Sequence, residues 1–350
     1  MFTTNAAITS GIDFSRNPDL VGLSALGCLD SIIFYAGSIG LRIILVRYSA
    51  MQDNFYNEAS WFISGDPYYT EQLFISDWVM LAKRYLGWAV VGVDLWQQPR
   101  GQSTWGTGAN TDWDAAATKV GNAILAVNPN LLILVQGINW GTDLTGAATS
   151  PIILSKKNQV VYSVVQFTND PSPNPWFSAA TFPNNLLPLW NQYYGFIVQK
   201  QIGPVLISEF GTNFKYPTDY VWLPLFLNYT DGHYTSAMAS DLPSGHVGMS
   251  WCYFALNPGD SVGGVLGQDW TTPDSTRLSY LKPFFAPLFQ NFDPHLPLPP
   301  VNPNITLMIP FPTITTTQAP TLPVFNYFHT SGNQIVDRMG NPLKITAINW

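Results

Sequence analysis

Six short runs of nearly unbroken apolar residues constrain this chain more than any other feature. They are Leu41–Val46, Ala89–Trp96, Leu131–Gly137, Val160–Phe167, Val205–Phe210 and Gly248–Phe254. Helix-like stretches separate them, at Leu23–Gly40, Tyr69–Leu86, Trp113–Val127 and Leu186–Gln201. A strand with one wet face alternates polar and apolar residues, whereas a strand covered on both faces reads as continuously apolar. Apolar strands alternating with helices predict βα units and a parallel sheet. With 350 residues the chain is long enough for one large α/β barrel.

Composition narrows the partners. Only 11% of residues are charged, against roughly a quarter in an average globular chain. The net charge of −7 and the lack of any basic run exclude a nucleic-acid partner, since phosphate recognition needs clustered Lys and Arg. No apolar stretch reaches the roughly 18 residues that would span a bilayer, and the opening MFTTNAAITSG lacks the features of a signal peptide. A secreted form would then have lost a leader, or begin elsewhere than Met1. Cys28 and Cys252 read as small buried hydrophobes rather than a disulfide, and no His or Cys spacing suggests a metal. No cofactor is expected. Low charge, 14% aromatic residues and two sequons, at Asn228 and Asn304, point to an extracellular glycoprotein.

Three segments are expected. Residues 1–292 carry the βα pattern. Residues 293–323 are dense in Pro and Thr, which favours an extended arm, either a flexible linker or a glycosylated stalk. Residues 324–350 read as a β-hairpin turning at Met339-Gly340-Asn341-Pro342 and ending in a strand, KITAINW.

The runs LRIILVRYSAMQDN, VVGVDLWQQPRG, LLILVQGINWG, VVYSVVQFTND, VLISEFGT and SWCYFALNPGDSVGG resemble, in order, glycoside hydrolases of family 5, of the endo-β-1,4-glucanase type. The C-terminal HTSGNQIVDRMGNPLKITAINW resembles that family's N-terminal hairpin and first strand. The resemblance therefore implies a TIM (β/α)8-type barrel that is circularly permuted and lacks its second strand. An equal reading is a window cut from a longer or repeated protein. The resemblance also implies retaining hydrolysis of a β-glucan, with two carboxyl groups about 5 Å apart at the C-terminal ends of the strands.

Matched residue by residue, the implied site is altered. Glu209 stands at the family nucleophile. Gln98 stands at the acid/base glutamate and has no proton to exchange at a useful pKa. Gln97 replaces the Asn that meets the sugar 2-hydroxyl. Val46, Arg47 and Tyr48 stand for Asp-Arg-His, Val165 and Phe167 for a His and a Tyr, Phe254 for a stacking Trp, and Gln136 for a common Glu. Trp96, Trp105, Trp140 and Trp251 could stack on glucose units or equally fill the core.

Three functions follow. The first is a non-catalytic extracellular structural or assembly protein, a pseudoenzyme able to form filaments if the C-terminal hairpin enters a neighbour's barrel rather than its own. The second is a β-glucan-binding pseudoenzyme. The third is a residually active or engineered retaining endo-glucanase. The sequence favours the first.

Overall fold

The computed structural model describes residues 6–49, 59–169, 173–232, 242–258, 262–287 and 328–349. The Pro/Thr arm and Asn304 lie outside them. Seven parallel strands curl into an incomplete barrel. They are β1 (Ile43–Val46), β2 (Val90–Asp94), β3 (Leu132–Gln136), β4 (Val160–Phe167), β5 (Val205–Gly211) and β6 (Ser250–Tyr253), followed in space by β10 (Thr346–Ile348). β10 pairs with β6 in parallel, Thr346 opposite Trp251 and Ile348 opposite Tyr253. Among the described residues β1 and β10 end the sheet, so an unpaired seam separates them.

The helices form for local reasons. Ser24 caps Ala25–Ser38 by accepting from Gly27 N–H at 3.2 Å, and Thr70 caps Glu71–Arg84 by accepting from Leu73 N–H at 3.2 Å. Lys83 and Arg84 occupy the last turn of the latter, where cations favour the helix dipole. Trp113–Val127 ends as expected. The expected helix over 186–201 is instead split, with a π-turn at Asn191–Gly195 between Leu186–Trp190 and Phe196–Gln199. Tyr229 packs into this widened turn: its hydroxyl bonds Asn191 Oδ1 at 3.0 Å, and a Cβ on Gly195 would stand 2.1 Å from it. A helix at Pro217–Asp231 was hidden by its prolines. Pro217 sits in the first turn, where no N–H is needed, and Pro224 lies inside.

The strands separate two apolar layers. Between sheet and helices lie Trp78, Trp96, Trp113, Trp190, Trp222 and Trp251, each buried. Inside the curl lie Leu132, Leu134, Val161, Leu206 and Cys252, met by Phe328 and Ile335 from the C-terminal segment. That segment is a small antiparallel sheet, β7 (His329–Ser331), β8 (Gln334–Val336) and β9 (Pro342–Leu343). It holds two turns rather than the single expected one. The additional turn, at Gly332-Asn333, is tight, with Ser331 opposite Gln334 and Gly332 at φ +56°. Both cysteines are buried and free, as expected.

The sequon at Asn228 folds away. It lies in the helix Pro217–Asp231, where Asn228 Nδ2 donates to the Pro224 carbonyl at 2.8 Å and Thr230 is buried.

Candidate active site

Because the strands are parallel, their C-terminal ends share one rim, and the candidate residues gather there. Glu209 lies on β5 at a bulge. Against β4 the register jumps from Val164 opposite Ile207 to Val165 opposite Glu209, and against β6 it slips between Ile207 and Phe210. The strand therefore carries an extra residue at Ser208–Glu209 relative to both neighbours, and such bulges re-aim a side chain beside a site. Ser208 is tied down from both sides, its hydroxyl donating to Val164 O at 3.2 Å and its carbonyl accepting from Asn349 Nδ2 at 2.8 Å.

Gln97 and Gln98 follow β2. Gln98 adopts a left-handed backbone, φ +51°, and is held from both sides. Its N–H donates to Gln136 Oε1 at 2.8 Å, and its carbonyl accepts from Arg100 Nη1 at 3.0 Å. Gln97 is buried, with its N–H donating to Arg47 O at 2.9 Å. Arg47 in turn pairs with Asp77 at 2.7 Å.

Aromatic groups frame the rim unevenly. Trp140 is 48% exposed, in a left-handed turn (φ +64°), with the Arg100 guanidinium 4.4 Å from its ring centroid. Tyr48 is 53% exposed just past β1. Phe167 and Phe254 meet edge-to-face at 5.8 Å. Trp251 does not belong to this group. On β6 it alternates with Cys252, which faces the barrel interior, so its indole faces the helices and packs on Phe210 and Phe285. Trp96 and Trp105 are buried likewise, which leaves Trp140 as the one exposed ring of the four expected.

Sequence reasoning missed Asp94, the last residue of β2. Its carboxylate lies inside the curl, accepting from Gln136 Nε2 at 2.9 Å and Ser163 Oγ at 3.0 Å. Burial pushes its pKa up to about 7, against the pull of those two donors. Burial, followed by the charges of Asp94 and Glu209, raises the Cys252 thiol to about 12, so this cysteine is inert. The signal for Asp94 was present: it is the one acid inside the run VVGVDLW.

Residues 4–259 match the profile of Cellulase (glycosyl hydrolase family 5). The chain belongs to that family. It is 39% identical over 291 residues to an endoglucanase of Paenibacillus polymyxa, covering 79% of this chain and 69% of that protein. It is 29% identical to the major extracellular endoglucanase of Xanthomonas campestris pv. campestris, covering 78% of this chain and 56% of that one. Among solved structures it resembles the cellotetraose complex of an endocellulase from Pyrococcus horikoshii, with TM-score 0.68, 28% identity and coverage of 78% and 77%. It also resembles the catalytic domain of the Xanthomonas enzyme, with TM-score 0.67, 27% identity and 80% coverage of each chain.

This relationship overturns the expectation of a non-catalytic structural protein, and with it the pseudoenzyme and filament readings. Over most of its length the cellulase family chain is kin to endoglucanases, and it superposes on barrels that bind cellotetraose.

Proposed function

We propose that this family 5 chain is an extracellular retaining β-1,4-glucan glycosidase of the endo type in which Glu209 is the nucleophile. The observation that carries this reading is the bulge of β5, which turns Glu209 out of strand register at the rim. Kinship with endoglucanases, one of them described as extracellular, supports the substrate and the location. Glu209 attacks the anomeric carbon while the bond to the leaving oxygen breaks, and water then releases the glycosyl group. Gln97, Tyr48, Trp140, Phe167 and Phe254 line the approach.

Gln98 sets the character of the reaction. An amide neither protonates the departing oxygen nor deprotonates water, assistance worth about 10² to 10⁴ in rate. The first step then depends steeply on how well the leaving group departs unprotonated. The same proposal includes the permuted order, with residues 1–292 as the barrel, 293–323 as an arm and 324–350 as its closing segment.

The test uses 2,4-dinitrophenyl β-cellobioside, whose leaving group departs without a proton. The chain should release dinitrophenol, azide should accelerate turnover by intercepting the glycosyl-enzyme, and Glu209→Ala should abolish both. Release that persists in Glu209→Ala would end the reading.

A further inference from the structure

Gln136, the last residue of β3, has no exposed surface, yet its amide meets three parts of the rim. Nε2 donates to Asp94 Oδ2 at 2.9 Å and to Gln97 Oε1 at 3.0 Å, while Oε1 accepts from Gln98 N–H at 2.8 Å. The orientation of this amide is fixed by chemistry. A backbone N–H can only donate, so the atom facing Gln98 must be the oxygen. The atom facing Asp94 and Gln97 Oε1 must then be the nitrogen. The consequence passes outward: with its Oε1 turned to Gln136, Gln97 directs its N–H donors away from that residue. The backbone of Gln136 is itself anchored, its carbonyl accepting from Trp113 Nε1 at 2.9 Å.

We propose that Gln136 is the positioning residue of the site, fixing the donor face of Gln97 and the left-handed turn of Gln98 through one fully used amide. This rests on the glucan-binding reading of the rim. A carboxylate at 136 could still accept from Gln98, but would have no hydrogen for Asp94 or Gln97. The amides at 97, 98 and 136 therefore act as a matched set.

The charged surroundings make the proposal testable by pH. Asp94 on β2 is faced by Gln136 on β3 and Ser163 on β4. Cys252 on β6 and Glu209 on β5 share the interior field, and Arg47, just past β1, is committed to Asp77. In Gln136→Glu, two carboxyl groups would confront each other at Asp94. At pH 8 the pair holds at most one shared proton, one donor short of the amide, and the network opens. At pH 5 a second proton restores that donor.

Two measurements decide. The first needs no sugar: hydrogen exchange at the Gln98 amide, followed by NMR. Gln136→Met should accelerate it by about tenfold or more, the worth of one lost bond to a buried amide, and leave the Leu95 amide unchanged. If the methionine variant unfolds, Gln136→Glu at pH 8 serves in its place. Unchanged exchange at Gln98 would overturn the proposal. The second is calorimetric binding of cellotetraose. Gln136→Glu should bind about tenfold more weakly than the wild type at pH 8 and recover at pH 5. Wild-type affinity at pH 8 in that variant would also overturn it, since a merely space-filling residue would give that result. A wild-type chain that binds no cellotetraose would defeat the glucan reading, and the exchange at Gln98 would still decide the role of Gln136.

Discussion

Ile345 N–H donates to Ser250 Oγ at 2.9 Å across 95 positions of sequence. One residue on, Trp251 N–H donates to the Ile345 carbonyl at 2.8 Å. Lys344 adds an ion pair with Asp231, and Asn349 a bond to Ser208 beside Glu209. The C-terminal strand is thus joined to the barrel at the strand next to Glu209, and its loss should reach the site.

Ile345→Pro removes the N–H that meets Ser250 and places a ring in the ladder. It should lower stability by about 3 kcal/mol. The midpoint of thermal unfolding, followed by circular dichroism, should fall by several degrees. An unchanged midpoint would mean that β10 adds nothing to the barrel.

Asp94 makes stability depend on pH in an uncommon direction for an acid. Its folded pKa, about 7, lies above the usual 3.8, so the folded chain holds a proton that the unfolded chain releases. Its contribution is therefore most favourable below pH 4 and is lost as pH rises toward and past 7. The full rise corresponds to about 4 kcal/mol as an upper bound. Asp94→Asn keeps an acceptor for Gln136 and Ser163 without the ionisation. In urea the variant should exceed the wild type at pH 8 and lose most of that advantage by pH 5. A gap independent of pH would refute the assignment.

Asp30, on the helix Ala25–Ser38, is buried and accepts from Arg84 Nε at 2.7 Å and Tyr85 Oη at 3.0 Å, at the end of the next helix. Arg84→Met leaves that carboxylate without its cation and should cost about 3–5 kcal/mol in urea unfolding. Replacing both partners, as Asp30→Leu with Arg84→Met, should recover much of the loss. A double variant no better than the single would show that the charge is not what matters.

Gln98→Glu would place a carboxyl at the position that the proposed reaction leaves without an acid. Reducing-sugar release from a soluble β-glucan should rise by about 10² or more, with a new limb in the pH profile from the added acid. A rate equal to that of the wild type would place leaving-group assistance elsewhere.

The strands were legible because burial on both faces writes itself as unbroken apolar runs. Val160–Phe167 matches residue for residue, and Val205–Gly211 differs by one. Pro217–Asp231 was not, because its helix tolerates prolines that usually mark an end. The site was legible only in part. The pattern puts Glu209 and Gln98 at the ends of strands, where they lie, but it does not show the Gln136 network, which depends on side chains from separate strands meeting inside a curl. Trp251 misled for the same reason: being near a strand end says nothing of which side a ring takes.

The seam between β1 and β10 gives the sheet two ends and a middle. Among the described residues, amides of the outer strands have a neighbour on one side only, so backbone protection should fall away from β4 in both directions. Gln136 and Glu209 sit on the strands flanking β4, within the slowest-opening part of the molecule. Tyr48, just past β1, stands at the margin. Breathing of the barrel would therefore widen the entrance before it disturbs the reacting groups, and a long glucan chain could enter from the side rather than being threaded from its end.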